Sequence, residues 1–552
     1  MQKSSDNGLI KQAGILAGAG IIVRIIGLLY RSPLTGIIGD EGNGYYNAAY
    51  NCYAIILLIS AYSIPSAVSK IMAARIALHE YKNAMRIFYA SMIYVLIVSG
   101  AFSVFVFFGA GLLTIGNSVR VLRIFAPTIL FFGFLGVLRG YFQSMRTMIP
   151  TSVSQIIEQI INAVVSILAA WIFIRSAAPG ADETERAVRG AIGSAMGTGA
   201  GVLFALLFMI ILFGAKRSLM TSLADSDTHT SVEPWGSVFR LLLLTVTPFI
   251  LSTFIYNFST MLDQTIFQRM AIGIKGYTEK EMSIAYGIFS TKAVVITNIP
   301  IALANAVSSA MMPGLAGHIA RKDRDRAVSL VESALKITSL ISIPCAVGIT
   351  VLSRPIVFLL FPQRSSLDEA AALLAGMGIT VIFYSISTVT NAVLQGSGHL
   401  NIPVANAALS LVIQAVILAS LLLFTDMGNS ALVVAAIVYS CLMCIMNHRA
   451  MKRILGIKRD LRGRLVMPFI SAAIMGIFSR LIWQAADHGL SLAGLGDYLS
   501  SMIALVLSVF AAIWIYALLL VRLGCISKTE LLQIPKGSSV VKILERTKIL
   551  RD

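Results

Sequence analysis

"AYNCYAIILLISAYSIPSAV" (49–68) is echoed by "AYGIFSTKAVVITNIPIALA" (285–304), each opening on Ala-Tyr and reaching Ile-Pro about 15 residues later. A second pair, "QSMRTMIPTSVSQIIEQIINAVVSIL" (143–168) and "QGSGHLNIPVANAALSLVIQAVIL" (395–418), shares a Gln, a short polar turn and then Ile-Pro opening an apolar run. The offsets, about 236 and 252 residues, are close enough to mark one internal duplication. Each copy holds an even number of apolar runs, so the copies run the same way through whatever they cross.

What they cross is a membrane. The 552-residue chain is 57% hydrophobic and only 13% charged, with a mean hydropathy of +0.82, whereas soluble domains carry about 25% charged residues. A spanning helix needs about 20 mostly apolar residues. On that rule about 14 spans are expected, near 9–30, 45–69, 87–109, 121–145, 149–174, 188–213, 241–268, 283–312, 329–353, 369–395, 401–424, 430–448, 465–486 and 498–522. The expected fold is all-α: an N-terminal lobe over 1–218, a parallel second lobe over 219–460, and two further helices with a tail over 461–552. Duplicated lobes are the usual build of a transporter that rocks around a central site. Prolines inside spans (Pro65, Pro127, Pro248, Pro300, Pro344) are expected to bend them. The glycines of "GAIGSAMGTGAG" (190–201) read as close helix contact.

The net charge of +18 gains meaning from its position. With a cytoplasmic N-terminus, about 28 Lys and Arg fall on cytoplasmic segments against about 11 outside, as the positive-inside rule requires. "ARKDRDR" (320–326) and "HRAMKRILGIKRDLRGR" (448–464) therefore read as topology determinants at anionic lipid rather than a nucleic-acid site. Both termini are expected in the cytoplasm. The five cysteines form no regular framework, and Cys441 and Cys444, spaced C-x-x-C inside an apolar run, read as core.

A charge at mid-bilayer costs roughly 2.5–3.5 kcal/mol, so an intramembrane ion must face protein or water. The candidate substrate-binding cations are Arg24, Arg31, Arg139 and Lys292. Together they would make an electropositive cavity for an anion, since arginine's planar fork suits phosphate oxygens. Arg139 is shallow enough to snorkel. The opposing reading is that these cations pair with Glu158 and Asp263 inside the bundle. Those two carboxylates are the candidates for ion coupling, because burial and neighbouring cations tune a carboxyl's affinity for protons. All six histidines are expected in loops, leaving no imidazole route for protons. No Walker A loop, H-E-x-x-H or nucleophile elbow is evident, so an ion gradient (sodium or protons) or the membrane potential would drive transport, with no cofactor.

The stretches "VRIIGLLYRSPLTGIIGDEGNGYYNAAYN" (23–51), "IPSAVSKIMAARIALHEYKNA" (64–84) and "IPIALANAVSSAMMPGLAGHIARKDRDRA" (299–327) resemble the multidrug, oligosaccharidyl-lipid and polysaccharide exporter superfamily. They are most similar to the branch containing stage V sporulation protein B and the lipid II flippases of Gram-positive bacteria. The resemblance implies a flippase that moves an undecaprenyl-pyrophosphate-linked sugar to the outer leaflet by alternating access. Arg24, Arg31 and Lys292 would line its cavity, Asp40, Glu41 and Asn43 its outward gate, and 465–522 a groove for the lipid tail. Gly39, Gly42 and Gly44 would let that gate bend. The partners implied are the lipid-linked sugar pyrophosphate, membrane lipids and the cell-wall synthesis machinery, with the chain a monomer. Three rivals stay open at this point: a cation or drug antiporter of the same superfamily, a membrane enzyme acting on lipid-linked sugars, and a scaffold of cell-wall or spore assembly.

Overall fold

Backbone polar groups have no water to bond in hydrocarbon, so each apolar run must satisfy them within itself as a helix. The computed structural model describes residues 18–20, 22–145, 147–225, 227, 231–399, 401–456 and 466–525; residues 9–17 and 21 of the first expected span, 457–464 of the basic segment and the tail beyond 525 lie outside them, and a helix stands at the place of each of the other thirteen expected spans. Among the described residues, twelve helices are long and apolar enough to cross a membrane, and Gly18–Leu29 and Trp235–Thr247 are shorter apolar stretches. The protein is an all-α, multi-pass membrane protein. The chain divides into two units, Met1–Ile288 and Phe289–Asp552.

The first unit holds α1 (Gly18–Leu29), α2 (Arg31–Leu57), α3 (Ile64–Ala77), α4 (Tyr81–Leu113), α5 (Ser118–Ser144), α6 (Ile149–Arg175), α7 (Glu183–Asp225), α8 (Trp235–Gly273) and α9 (Glu279–Gly287). The α6 and α7 helices pack antiparallel through the glycine run. A Cβ on Gly193 would strike the Ala169 and Ala170 backbone, one on Gly197 would strike Ser166, and one on Gly201 the Glu158 carbonyl. Each four-residue step along α7 is thus matched by a step back along α6, which is the close contact the glycines predicted. Buried clusters fill the interior, among them one that joins α2 and α6 through Leu34, Ile38, Ala163 and Ala170 and two larger ones. One joins α3, α4 and α5 through Val68, Phe88, Leu138 and Tyr141, and the other joins α2 and α5 through Tyr46, Tyr53, Phe125 and Ile129.

The second unit holds α10 (Val295–Ala320), α11 (Arg324–Val351), α12 (Ser353–Leu360), α13 (Leu367–Gly396), α14 (Asn401–Phe424), α15 (Ser430–Leu455), α16 (Met467–Leu492) and α17 (Asp497–Arg522). Buried residues of α10, α11, α13 and α15 form one cluster, in which Cys444 is packed as core. The α16–α17 hairpin lies on α11, where the Tyr516 hydroxyl donates to the Leu340 carbonyl at 3.2 Å.

The duplication is visible as local structure. Between Ala-Tyr and Ile-Pro, each copy widens into a π-helical segment, Leu58–Tyr62 in one and Ile288–Val294 in the other. The first ends just before Pro65, which cannot donate to the carbonyl four residues back.

Two expectations need correction. Residues 31–44 are not a turn between spans: they are helical except at Gly39 (φ 69°, ψ −178°), where α2 kinks. Gly42 and Gly44 are helical and serve close packing instead. A Cβ on Gly44 would strike the Ser283 carbonyl, and one on Gly287 the Asp40 carbonyl. This glycine seam joins α9 to α2 inside the first unit. Nor do all histidines lie in loops, since His318, His448 and His488 fall within α10, α15 and α16.

Candidate functional site

The polar interior of the first unit is built on one face of α6. Thr151, Ser154, Glu158, Asn162 and Ser166 follow at spacings of three or four residues, which aligns them as a stripe. From α5, Gln143 Nε2 donates to Thr151 Oγ1 at 3.2 Å, and Arg139 Nε donates to Ser154 Oγ at 2.9 Å. Arg139 is 5% exposed, and its Nη2 pairs with Glu158 Oε2 at 2.8 Å. Farther along, Ser166 Oγ donates to Asn162 Oδ1 at 2.9 Å and Thr198 Oγ1 to the same oxygen at 3.4 Å. Thr198 in turn shares a hydrogen bond of 3.2 Å with the Tyr46 hydroxyl of α2.

That last contact leads to Arg31. Its guanidinium sits among Tyr30, Tyr46 and Tyr50, with the Tyr30 hydroxyl within hydrogen-bond reach. Arg31 is half-buried and has no carboxylate partner among the described residues. Arg24, on α1, is exposed beside the exposed Ile22 and Ile25. The candidate arginines of the first unit therefore differ in kind: the charge of Arg139 is already met by Glu158, whereas Arg31 lies among tyrosines with no carboxylate paired to it among the described residues.

The remaining candidates lie elsewhere. Lys292 belongs to the second unit and is 0% exposed; its Nζ donates to Ser366 Oγ at 2.6 Å and stands 5.9 Å from the centre of the Phe361 ring. Asp263, on α8, lies in the electrostatic reach of Tyr286. Its neighbour Gln264 accepts from Asn51 Nδ2 at 2.9 Å and donates to the Ala48 carbonyl at 2.9 Å, and Asn51 also reaches the Tyr286 hydroxyl at 2.7 Å. Asp40, Glu41 and Asn43 occupy the first helical turn after the Gly39 break and are 9%, 6% and 4% exposed. Glu41 accepts from the Tyr45 hydroxyl at 3.1 Å, and its carbonyl accepts from Ser283 Oγ at 3.0 Å. Lys280 lies 3.9 Å from Glu41 and 2.6 Å from Glu183. The acidic residues expected at an outward gate are thus held at the α2–α9 seam.

Charges inside apolar runs announce themselves in a sequence; Tyr50, Asn51, Asn162, Thr198, Gln264 and Tyr286 do not. The one available signal was the repeat itself, because Tyr50 and Tyr286 are the tyrosines of its two Ala-Tyr openings.

A membrane bundle with a polar seam and an arginine that has no carboxylate partner among the described residues has the build of a transporter, and comparison with solved structures agrees on the fold. A structure described as "Lipid II flippase MurJ, inward closed conformation" aligns with a TM-score of 0.60 at 14% identity, over 91% of this chain and 97% of that one. An inward-facing multidrug resistance transporter of the multidrug and toxic compound extrusion type aligns with a TM-score of 0.61 at 16% identity, over 79% and 98%. Among curated sequences, "Lipid II flippase MurJ" of Bacillus subtilis (strain 168) is 23% identical over 504 residues, 86% of this chain and 88% of that protein. "Stage V sporulation protein B" of the same organism is 23% identical over 532 residues, 95% and 97%. The fold is therefore the one seen in those transporter structures. Residues 81–523 match the family described as "Lipid II flippase MurJ", and the chain belongs to that family.

Proposed function

We propose that the protein carries an undecaprenyl-pyrophosphate-linked cell-wall precursor, lipid II or a related lipid-linked oligosaccharide, from the inner to the outer leaflet by alternating access. The observation that carries this reading is the Arg31 guanidinium, half-buried, cradled by tyrosine and unmatched by a carboxylate. Holding a cation away from bulk water without an anion is costly unless an anion arrives. A pyrophosphate is such an anion, and its oxygens suit a guanidinium's donors. An exporter of organic cations would want the opposite charge at this position. Arg24 would meet the same headgroup from α1. Glu158 and Asp263 remain the groups through which a sodium ion or proton would couple, and the basic segments 320–326 and 448–464 would face the cytoplasm with both termini.

The test is reconstitution in vesicles with labelled lipid II, scoring exposure at the outer face. Wild-type protein should move the lipid, and Arg31→Gln should slow movement at least tenfold, equivalent to about 1.4 kcal/mol. Full movement in Arg31→Gln removes that residue from the site. No movement of any undecaprenyl substrate by wild-type protein rejects the function.

A further inference from the structure

We infer that Tyr50 is a specificity-determining residue that stacks on the sugar of the headgroup while Arg31 holds its phosphate; this rests on the flippase reading above. Tyr50 belongs to an aromatic group on one face of α2, but it differs from its neighbours. Tyr46 and Tyr53 are 6% and 3% exposed and Phe125 is fully buried, whereas Tyr50 is half-buried. The other three rings hold it in place: Tyr46 stacks on it at 5.8 Å and 17°, Tyr53 lies 5.8 Å away, and Phe125 meets it edge-on at 6.0 Å. A ring fixed on several sides has little rotamer freedom left to lose when a ligand docks.

The Tyr50 hydroxyl makes no hydrogen bond among the described residues, yet it lies in the electrostatic reach of both Arg31 and Glu158. Its counterpart in the second repeat is the contrast. Tyr286 is 2% exposed, and its hydroxyl is engaged with Asn51 and Gln264. The same repeat position is tied up in one copy and left available in the other, within electrostatic reach of a cation that has no carboxylate partner among the described residues. A rigid, half-open aromatic ring next to an unmatched guanidinium suits a phosphosugar. The ring covers the apolar C–H face of the sugar, its hydroxyl bonds a sugar hydroxyl, and the arginine takes the adjoining phosphate.

The experiment measures binding of two lipids, lipid II and sugar-free undecaprenyl pyrophosphate, to the full-length protein in nanodiscs. Tyr50→Leu should weaken lipid II binding about tenfold while leaving undecaprenyl pyrophosphate within twofold, and Arg31→Gln should weaken both. Tyr50→Leu that weakens both lipids equally, or neither, overturns the assignment. A second variant guards against a Leu protein that does not fold. In Tyr50→Trp, lipid II should shift the indole emission relative to wild-type protein and sugar-free lipid should not; equal shifts, or none, overturn the assignment as well. Failure of the flippase reading is distinguishable, because there wild-type protein binds neither lipid and Arg31→Gln changes nothing.

Discussion

At the scale of single residues, charge alone does not define a site; what matters is which charges the fold has already neutralised. Arg139 and Arg31 look alike in sequence, each an arginine at the edge of an apolar run. The α5–α6 turn brings Arg139 against Glu158, 19 positions on, and the two charges serve each other. Losing one member of a buried pair costs about 3–5 kcal/mol, reduced where a partner is partly solvated. With the Glu158 side chain 25% exposed, Arg139→Ala should cost about 2–3 kcal/mol in thermal unfolding in detergent. Arg139→Met with Glu158→Leu should recover most of that loss, so a double-mutant cycle isolates the pair. Arg31→Gln should instead leave the melting temperature unchanged or raised, because it removes an unmatched charge, while impairing transport. The candidates were legible because ions in hydrocarbon are conspicuous. Their partners were not, because Ser154, Ser366 and Tyr46 are ordinary residue types made relevant only by tertiary placement.

At the scale of elements, the informative feature is the seam between α2 and α9. Glycine-rich sequence between apolar runs reads naturally as flexible, and Gly39, Gly42 and Gly44 alike were expected to let a gate bend. The backbone breaks at Gly39 only, while Gly44 and Gly287 are small because another helix's backbone passes where a side chain would go. Composition cannot separate these two uses of glycine, since the difference lies in what stands opposite. Gly44→Val should therefore cost about 1–3 kcal/mol by overpacking, visible as a lowered melting temperature. Gly18→Ala, where a Cβ would meet nothing within 4 Å, should be neutral. Lys280→Ala should leave the melting temperature nearly unchanged, because Lys280 is 42% exposed and Glu183 is 83% exposed and solvent screens such a pair.

For the whole molecule, the order of spans was readable and twelve of the fourteen expected are matched by helices long and apolar enough to cross among the described residues, since the length of an apolar run and the thickness of a bilayer fix one another. The grouping of helices was not readable in the same way. The repeat places α8 and α9 with the second copy, yet both fall in the unit Met1–Ile288, because the close approach of Gly44 to Ser283 draws α9 onto α2. Orientation is a separate matter, set by the distribution of Lys and Arg. An impermeant thiol reagent on intact cells should spare Lys322→Cys and label Ala178→Cys, each in a background lacking the native cysteines. The reverse pattern would invert the proposed topology.

The paired π segments carry a mechanical consequence. A π turn is a dislocation in a helix, one surplus residue accommodated without leaving a backbone group stranded in oil. Shifting such a dislocation by one residue would twist the stretch it passes by about 100°, a screw-like movement that needs no kink and no exposed carbonyl. Both copies of the repeat carry one, and a helix-restoring deletion of one residue in either should arrest turnover while leaving the bundle folded.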